Sequence, residues 1–146
     1  MPTAFINALI VLPADLGGPR QTTLRFDEPR ILSVDHPPAR GDNVEDLNGC
    51  IVYPGLINAH DHLELNHFPR SKFREVYENA RDWSLDFAPR LDQEPYLSLR
   101  TQPLDQRCRA GGLKNLHSGV TTVAHHNPLH APLRRRDFPV RVVRRY

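Results

Sequence analysis

The chain has 146 residues, 39% of them hydrophobic and 25% charged, with a formal net charge of +2. This is ordinary globular composition with length for one modest core, which excludes a low-complexity or wholly disordered chain, and so small a charge selects no particular partner. No run of about 18 apolar residues is present to span a membrane, and the two cysteines, Cys50 and Cys108, lie far apart without zinc-finger spacing, so neither a disulfide framework nor a cysteine metal knot is indicated and a reducing cytoplasm is expected.

In chain order, the opening MPTAFINALIVLPADLGG has a short apolar stretch with no Lys or Arg ahead of it, and reads as a strand rather than a secretion leader. Residues 4–12, 22–26, 30–34 and 50–53 are apolar or β-branched runs separated by Gly, Pro and Asp clusters, the pattern of short antiparallel strands. Residues 1–53 are therefore expected to form a partial β-sandwich lobe, too small to stand alone. Residues 54–62, PGLINAHDH, follow as an extended run with alternating faces: Leu56, Asn58, His60 and His62 on one side, Ile57, Ala59 and Asp61 on the other.

Beyond that strand, Phe73, Val76, Tyr77 and Ala80 recur at helical spacing behind Ser71, a good N-cap, which predicts a helix over 71–82. Residues 83–101 show no period and read as a long loop, with Trp83 and Phe87 either an apolar lid or, more simply, side chains packed beneath that loop. A second helix is predicted over 103–117, with Pro103 at its first position, a stripe of Leu104, Cys108, Leu113 and Leu116, and Gly119 as its left-handed stop. Gly111 and Gly112 weaken that helix by roughly 1 kcal/mol each. Residues 120–125, VTTVAH, and 139–143, PVRVV, read as further strands, and the order strand, helix, strand, loop, strand is the rhythm of a parallel sheet.

The sharpest chemical signal is His60-Asp61-His62. A strand sends residues i and i+2 to one side with Cα atoms roughly 6.5 Å apart, so two imidazoles can converge on one ion at about 2.0–2.1 Å. Neutral imidazole suits zinc, iron, nickel or cobalt, and the spacing alone does not choose among them. Taken alone, a His-x-His on a strand is more often a pair of core or surface histidines.

The segment GCIVYPGLINAHDHLE resembles the first barrel strand of the metal-dependent amidohydrolase superfamily, in which a Pro-Gly-Leu/Phe-Ile-(Asp/Asn)-x-His-x-His run follows an N-terminal β lobe. Gly119-Val120-Thr121-Thr122-Val123 resembles that superfamily's second-strand motif, and the resemblance covers roughly residues 30–146. It implies an α/β fold: an incomplete (β/α)8 TIM-like barrel of about three strands over 54–146, behind the β lobe. It implies His60 and His62 as the first two ligands of a divalent metal, zinc first, in a hydrolase acting on non-peptide carbon–nitrogen bonds, closest to the deaminase and chlorohydrolase-like branch. The family's remaining ligands and its catalytic Asp have no counterpart in the sequence, and that Asp is expected beyond residue 146. In a complete member the ion activates a water, the Asp takes its proton, and a small-molecule substrate is attacked. A closed barrel takes roughly 250 residues, so this chain is expected to be inactive alone.

Glu64, Asn66 and His67 follow the histidine pair on the loop where barrel enzymes keep substrate contacts, and His125 and His126 end the next strand; all five are candidate substrate-binding residues, set against the plainer reading of ordinary loop and strand-end polar residues. A rival reading is a catalytically inactive remnant or partner module that associates through an open sheet edge. A third is a basic nucleic-acid-binding fragment, resting on Arg134, Arg135, Arg136, Arg141, Arg144, Arg145 and Tyr146, against which charge runs are usually solvated faces.

Overall fold

The computed structural model describes residues 1–144. The chain forms two compact units, one of residues Met1–Pro54 and a second from Gly55 onward.

The first unit is built on strands, with one short 3-10 turn over Ala14–Leu16. β1 (Thr3–Ile10), β2 (Arg20–Asp27), β3 (Arg30–Val34) and β4 (Asn43–Asp46) lie in the order β3-β2-β1-β4, and β5 (Ile51–Val52) also pairs with β1. β1 runs antiparallel to β2 but parallel to both β4 and β5, so the strand at 50–53 departs from the antiparallel arrangement expected of it. Ala4, Ala8 and Ile10 of β1 are buried, and Phe5 meets Phe26 edge-on at 4.9 Å between ring centroids. Arg25 grips Asp42 with both ends of its fork, at 2.6 and 2.9 Å, a geometry that orients as well as attracts. β4 has no sequence signature: all four of its residues are exposed, and it exists because its backbone pairs with β1.

The second unit is mixed α/β. β6 (Leu56–Asp61), β7 (Val120–His125) and β8 (Arg141–Val142) form a parallel three-stranded sheet in that order. Parallel neighbours need a crossover, and between β6 and β7 it includes α1 (Ala80–Phe87), α2 (Tyr96–Arg100) and α3 (Leu104–His117). The two sequence motifs meet here. A Cβ on Gly55 would collide with the Thr121 side chain, and the Leu56 N–H donates to the Gly119 carbonyl at 2.9 Å, so the Pro-Gly turn and the Gly-Val-Thr-Thr run lie against each other. Gly119, at φ 78°, ends α3 in the left-handed conformation glycine favours.

Two helical expectations change. Residues 71–79 are not helical, and the helix begins instead at Ala80, capped by Asn79, whose side chain accepts the Asp82 N–H. The spacing of Phe73, Val76 and Tyr77 mimicked a helical face, but Val76 is 76% exposed, while the Tyr77 hydroxyl accepts the Phe73 N–H and holds an irregular segment. The stretch from Trp83 to Thr101 contains the rest of α1 and all of α2, not one long loop.

α3 is where the sequence places it, with Pro103 as its N-cap, and Leu104 and Cys108 of the expected stripe meet the core, but the rest of its packing face differs. Cys108, Gly111, Gly112 and Asn115 are buried, whereas Leu113 and Leu116 are exposed. Spacing of i, i+3, i+4 and i+7 makes that a continuous stripe. The glycines let α3 come close: a Cβ on Gly111 would strike the Leu63 carbonyl, and one on Gly112 would stand 3.0 Å from the Phe138 ring. The core beneath combines Leu63, Cys108, Val123, Leu133, Val140 and Val142. Burial of each larger aliphatic side chain contributes about 1.5–3 kcal/mol.

Candidate metal centre

β6 carries the histidine pair to the end of the sheet. His60 lies in the strand, and His62 follows its last residue, opening a short 3-10 turn over Leu63–Leu65. The two Nε2 atoms stand 3.3 Å apart. Two nitrogens bound at about 2.0–2.1 Å to one tetrahedral ion lie roughly 3.3–3.4 Å from each other. The pair therefore has the spacing of two ligands to a shared ion, and without an ion one Nε2–H can donate to the other.

The face is not the simple alternation read from the sequence. β6 advances three residues from Asn58 to Asp61 while β7 advances two from Val123 to His125, a bulge. The extra residue puts Asn58 on the side of Asp61, away from the imidazoles, and the Asn58 amide donates to Asp61 Oδ2 at 2.9 Å.

The five other candidates separate in space. His126 lies with the pair, its ring centroid 4.6 Å from that of His60 in a stacked arrangement and 5.1 Å from that of His62. A cavity of about 140 Å3 opens beside them, lined by Ala59, His60, Ala124 and His126. His125, 2% exposed, points the other way. Its Nδ1 accepts the Leu63 N–H at 3.3 Å and its Nε2 stands 3.6 Å from Glu64 Oε2. Burial lowers the His125 pKa below the ordinary imidazole value, with the Glu64 charge opposing in part. Glu64 is itself buried and accepts from the Asn127 amide. The same burial, with Glu64 adding to it, pushes the neighbouring Cys108 thiol up to about 11, so it stays a thiol.

Asn66 is turned inward, donating to Asp61 Oδ1 at 2.6 Å. The His67 Nε2–H donates to the Leu99 carbonyl at 2.9 Å. Trp83 and Phe87 stack at 4.8 Å and help line an apolar cavity of about 450 Å3 with Leu65, Phe68 and Lys114; neither His60 nor His62 reaches it.

The residues fit half of a metal centre. Among the described residues no group of three or more His, Cys, Asp or Glu side chains could hold an ion, and His62 Nδ1 is buried without a hydrogen-bond partner. Of the basic cluster, Arg135 is paired with Asp137 and Arg144 donates to the Arg134 carbonyl, while Arg145 and Tyr146 lie outside the described residues. No helix among the described residues is long and apolar enough to cross a membrane.

No family model matches the sequence, and no curated protein matches it. Solved structures do. The chain is similar to a triazine hydrolase from Arthobacter aurescens, with 22% identity and a TM-score of 0.64 over 87% of this chain and 29% of that one. It is also similar to an amidohydrolase from a Sargasso Sea environmental sample, with 24% identity and a TM-score of 0.55 over 87% of this chain and 27% of that one. Phenylurea hydrolase B matches at 20% identity and a TM-score of 0.52, over 91% of this chain and 26% of its own. The chain thus has the fold of a part of the amidohydrolases, and it spans less than a third of the length of these proteins.

Proposed function

We propose that the second unit is the opening section of an amidohydrolase-type barrel, and that His60 and His62 are two of the ligands of a divalent metal, zinc first. The observation that carries this reading is the 3.3 Å approach of the two Nε2 atoms at the end of a parallel strand. The likeness of fold to hydrolases supports it at the level of architecture, which by itself fixes no substrate. When bound, the ion supplies Lewis-acid chemistry to hydrolysis of a non-peptide carbon–nitrogen bond. The residues of this chain hold the imidazoles, shape the small cavity beside His60 and His126, and bury Glu64 and His125 beneath the pair; His126 and the rim of that cavity are the part that faces a substrate. The catalytic acid–base group and the other ligands have to come from outside these residues, so the chain alone is expected to bind metal without turning over substrate.

Isothermal titration of the metal-free chain with zinc tests this. One zinc per chain is expected for the wild type, weaker than a four-ligand structural site, and none for the His60→Ala, His62→Ala double variant. Equal uptake by both proteins would dismiss the pair as ligands.

A further inference from the structure

Asp61, between the two histidines, sits in an unusual setting for a carboxylate. Its Oδ1 accepts the His62 backbone N–H and the Asn66 amide, both at 2.6 Å. Its Oδ2 accepts the Asn115 amide at 2.6 Å and the Asn58 amide at 2.9 Å. An ionised carboxylate has about four acceptor sites, and all four are taken. No Lys or Arg among the described residues forms an ion pair with it. Asp61 therefore has no lone pair left for an ion and is not itself a ligand.

The three side-chain amide donors come from three places in the fold. Asn58 is on β6, Asn66 follows the 3-10 turn, and Asn115 is on the buried stripe of α3. Asn115 is fixed in turn, donating to the Gly111 carbonyl at 3.0 Å and accepting from Asn58 at 3.0 Å. Asn58 then returns to the strand, its Oδ1 accepting the His60 N–H at 3.2 Å. Each histidine is thus held by its own backbone N–H, His60 through Asn58 and His62 through Asp61.

We propose that Asp61, with Asn58, Asn66 and Asn115, is a positioning cradle that fixes the backbone of His60 and His62 so that their imidazoles converge; this rests on the reading of the two histidines as a ligand pair. Neutral amides suit the task better than a guanidinium. They satisfy the carboxylate without placing positive charge beside the position of a dication, so the negative charge of Asp61 remains to favour it. Groups that orient ligands in this way typically change metal affinity by about 10–100-fold when removed.

The test has a metal-free arm and a metal arm, both on the whole chain. Asp61→Asn replaces an acceptor with a donor facing donors, and Asn66→Ala removes a single bond and serves if the first variant does not fold. Amide hydrogen exchange of the metal-free protein should quicken at His62 by about tenfold or more in either variant, with the Val123 amide in β7 unchanged, because only the local opening is altered. Zinc affinity should fall about 10–100-fold. His60 and His62 amides exchanging at wild-type rates, or quickening only in step with Val123, would overturn the cradle whether or not zinc binds. A wild-type chain that takes up no zinc overturns the ligand-pair reading instead, and the exchange arm tells the two failures apart.

Discussion

Gly111 of α3 lies directly against the carbonyl of Leu63, with no room between them for a methyl group. Leu63 is fully buried and sits one residue past His62, so this contact sets how closely the helix approaches the turn that follows the histidine pair. Asn115, one helical turn further on, reaches Asp61 only from that distance.

Gly111→Ala is accordingly expected to destabilise the second unit even though alanine is the better helix former. The clash is with backbone, which cannot swing aside, and overpacking of this kind costs about 1–3 kcal/mol. Chemical denaturation would show a lower midpoint for this variant than for Lys114→Ala on the exposed face of α3. A stabilised Gly111→Ala protein would mean that the helix and the turn do not meet as described.

His125 makes the second unit sensitive to mild acid. Its folded pKa is lowered by burial, so the fold favours the neutral ring. Stability is full above the ordinary imidazole pKa of about 6.5 and declines as pH falls below that value toward the lowered folded one. Thermal melts between pH 8 and pH 5 should show this decline, and His125→Asn, which keeps an acceptor for the Leu63 N–H, should flatten it. A wild-type slope retained by the variant would assign the acid sensitivity to another group.

Much of the architecture was legible in the residues. The strands came from alternation and from turn residues, and α3 and its Gly119 stop came from spacing and from the glycine. What periodicity could not supply was which face α3 packs, because Leu113 and Leu116 looked like core and Gly111 like a defect; close approach reverses that judgement. β4 was missed since Asn-Val-Glu-Asp shows no strand pattern, and what holds it is its backbone pairing with β1 together with the Asn7 amide donating to Asp46. The site divided similarly. The close approach of His60 and His62 was legible because an i, i+2 pair on a strand needs only local geometry. The Asp61 cradle depends on a one-residue bulge and on a helix more than fifty residues away, and neither leaves a local trace. The expectation that His125 and His126 face opposite ways followed from strand geometry, but which one joins the pair did not.

Ile57 on β6 is 71% exposed and Leu56 50%. β6 and β8 are the edges of the sheet among the described residues. Exposed apolar edges of this kind template association, so the chain is expected to self-associate. Light scattering should give a mass above that of one chain for the wild type and a smaller mass for Ile57→Lys. A wild-type mass equal to that of a single chain at high concentration would show that the edge is tolerated in water.

The most direct measurement is anomalous X-ray diffraction from zinc-soaked crystals of the chain, recorded at the zinc edge. A single strong peak at about 2.0–2.1 Å from Nε2 of both His60 and His62 is predicted. A peak elsewhere, or one touching only one of these imidazoles, would contradict the reading of the pair as a shared metal site.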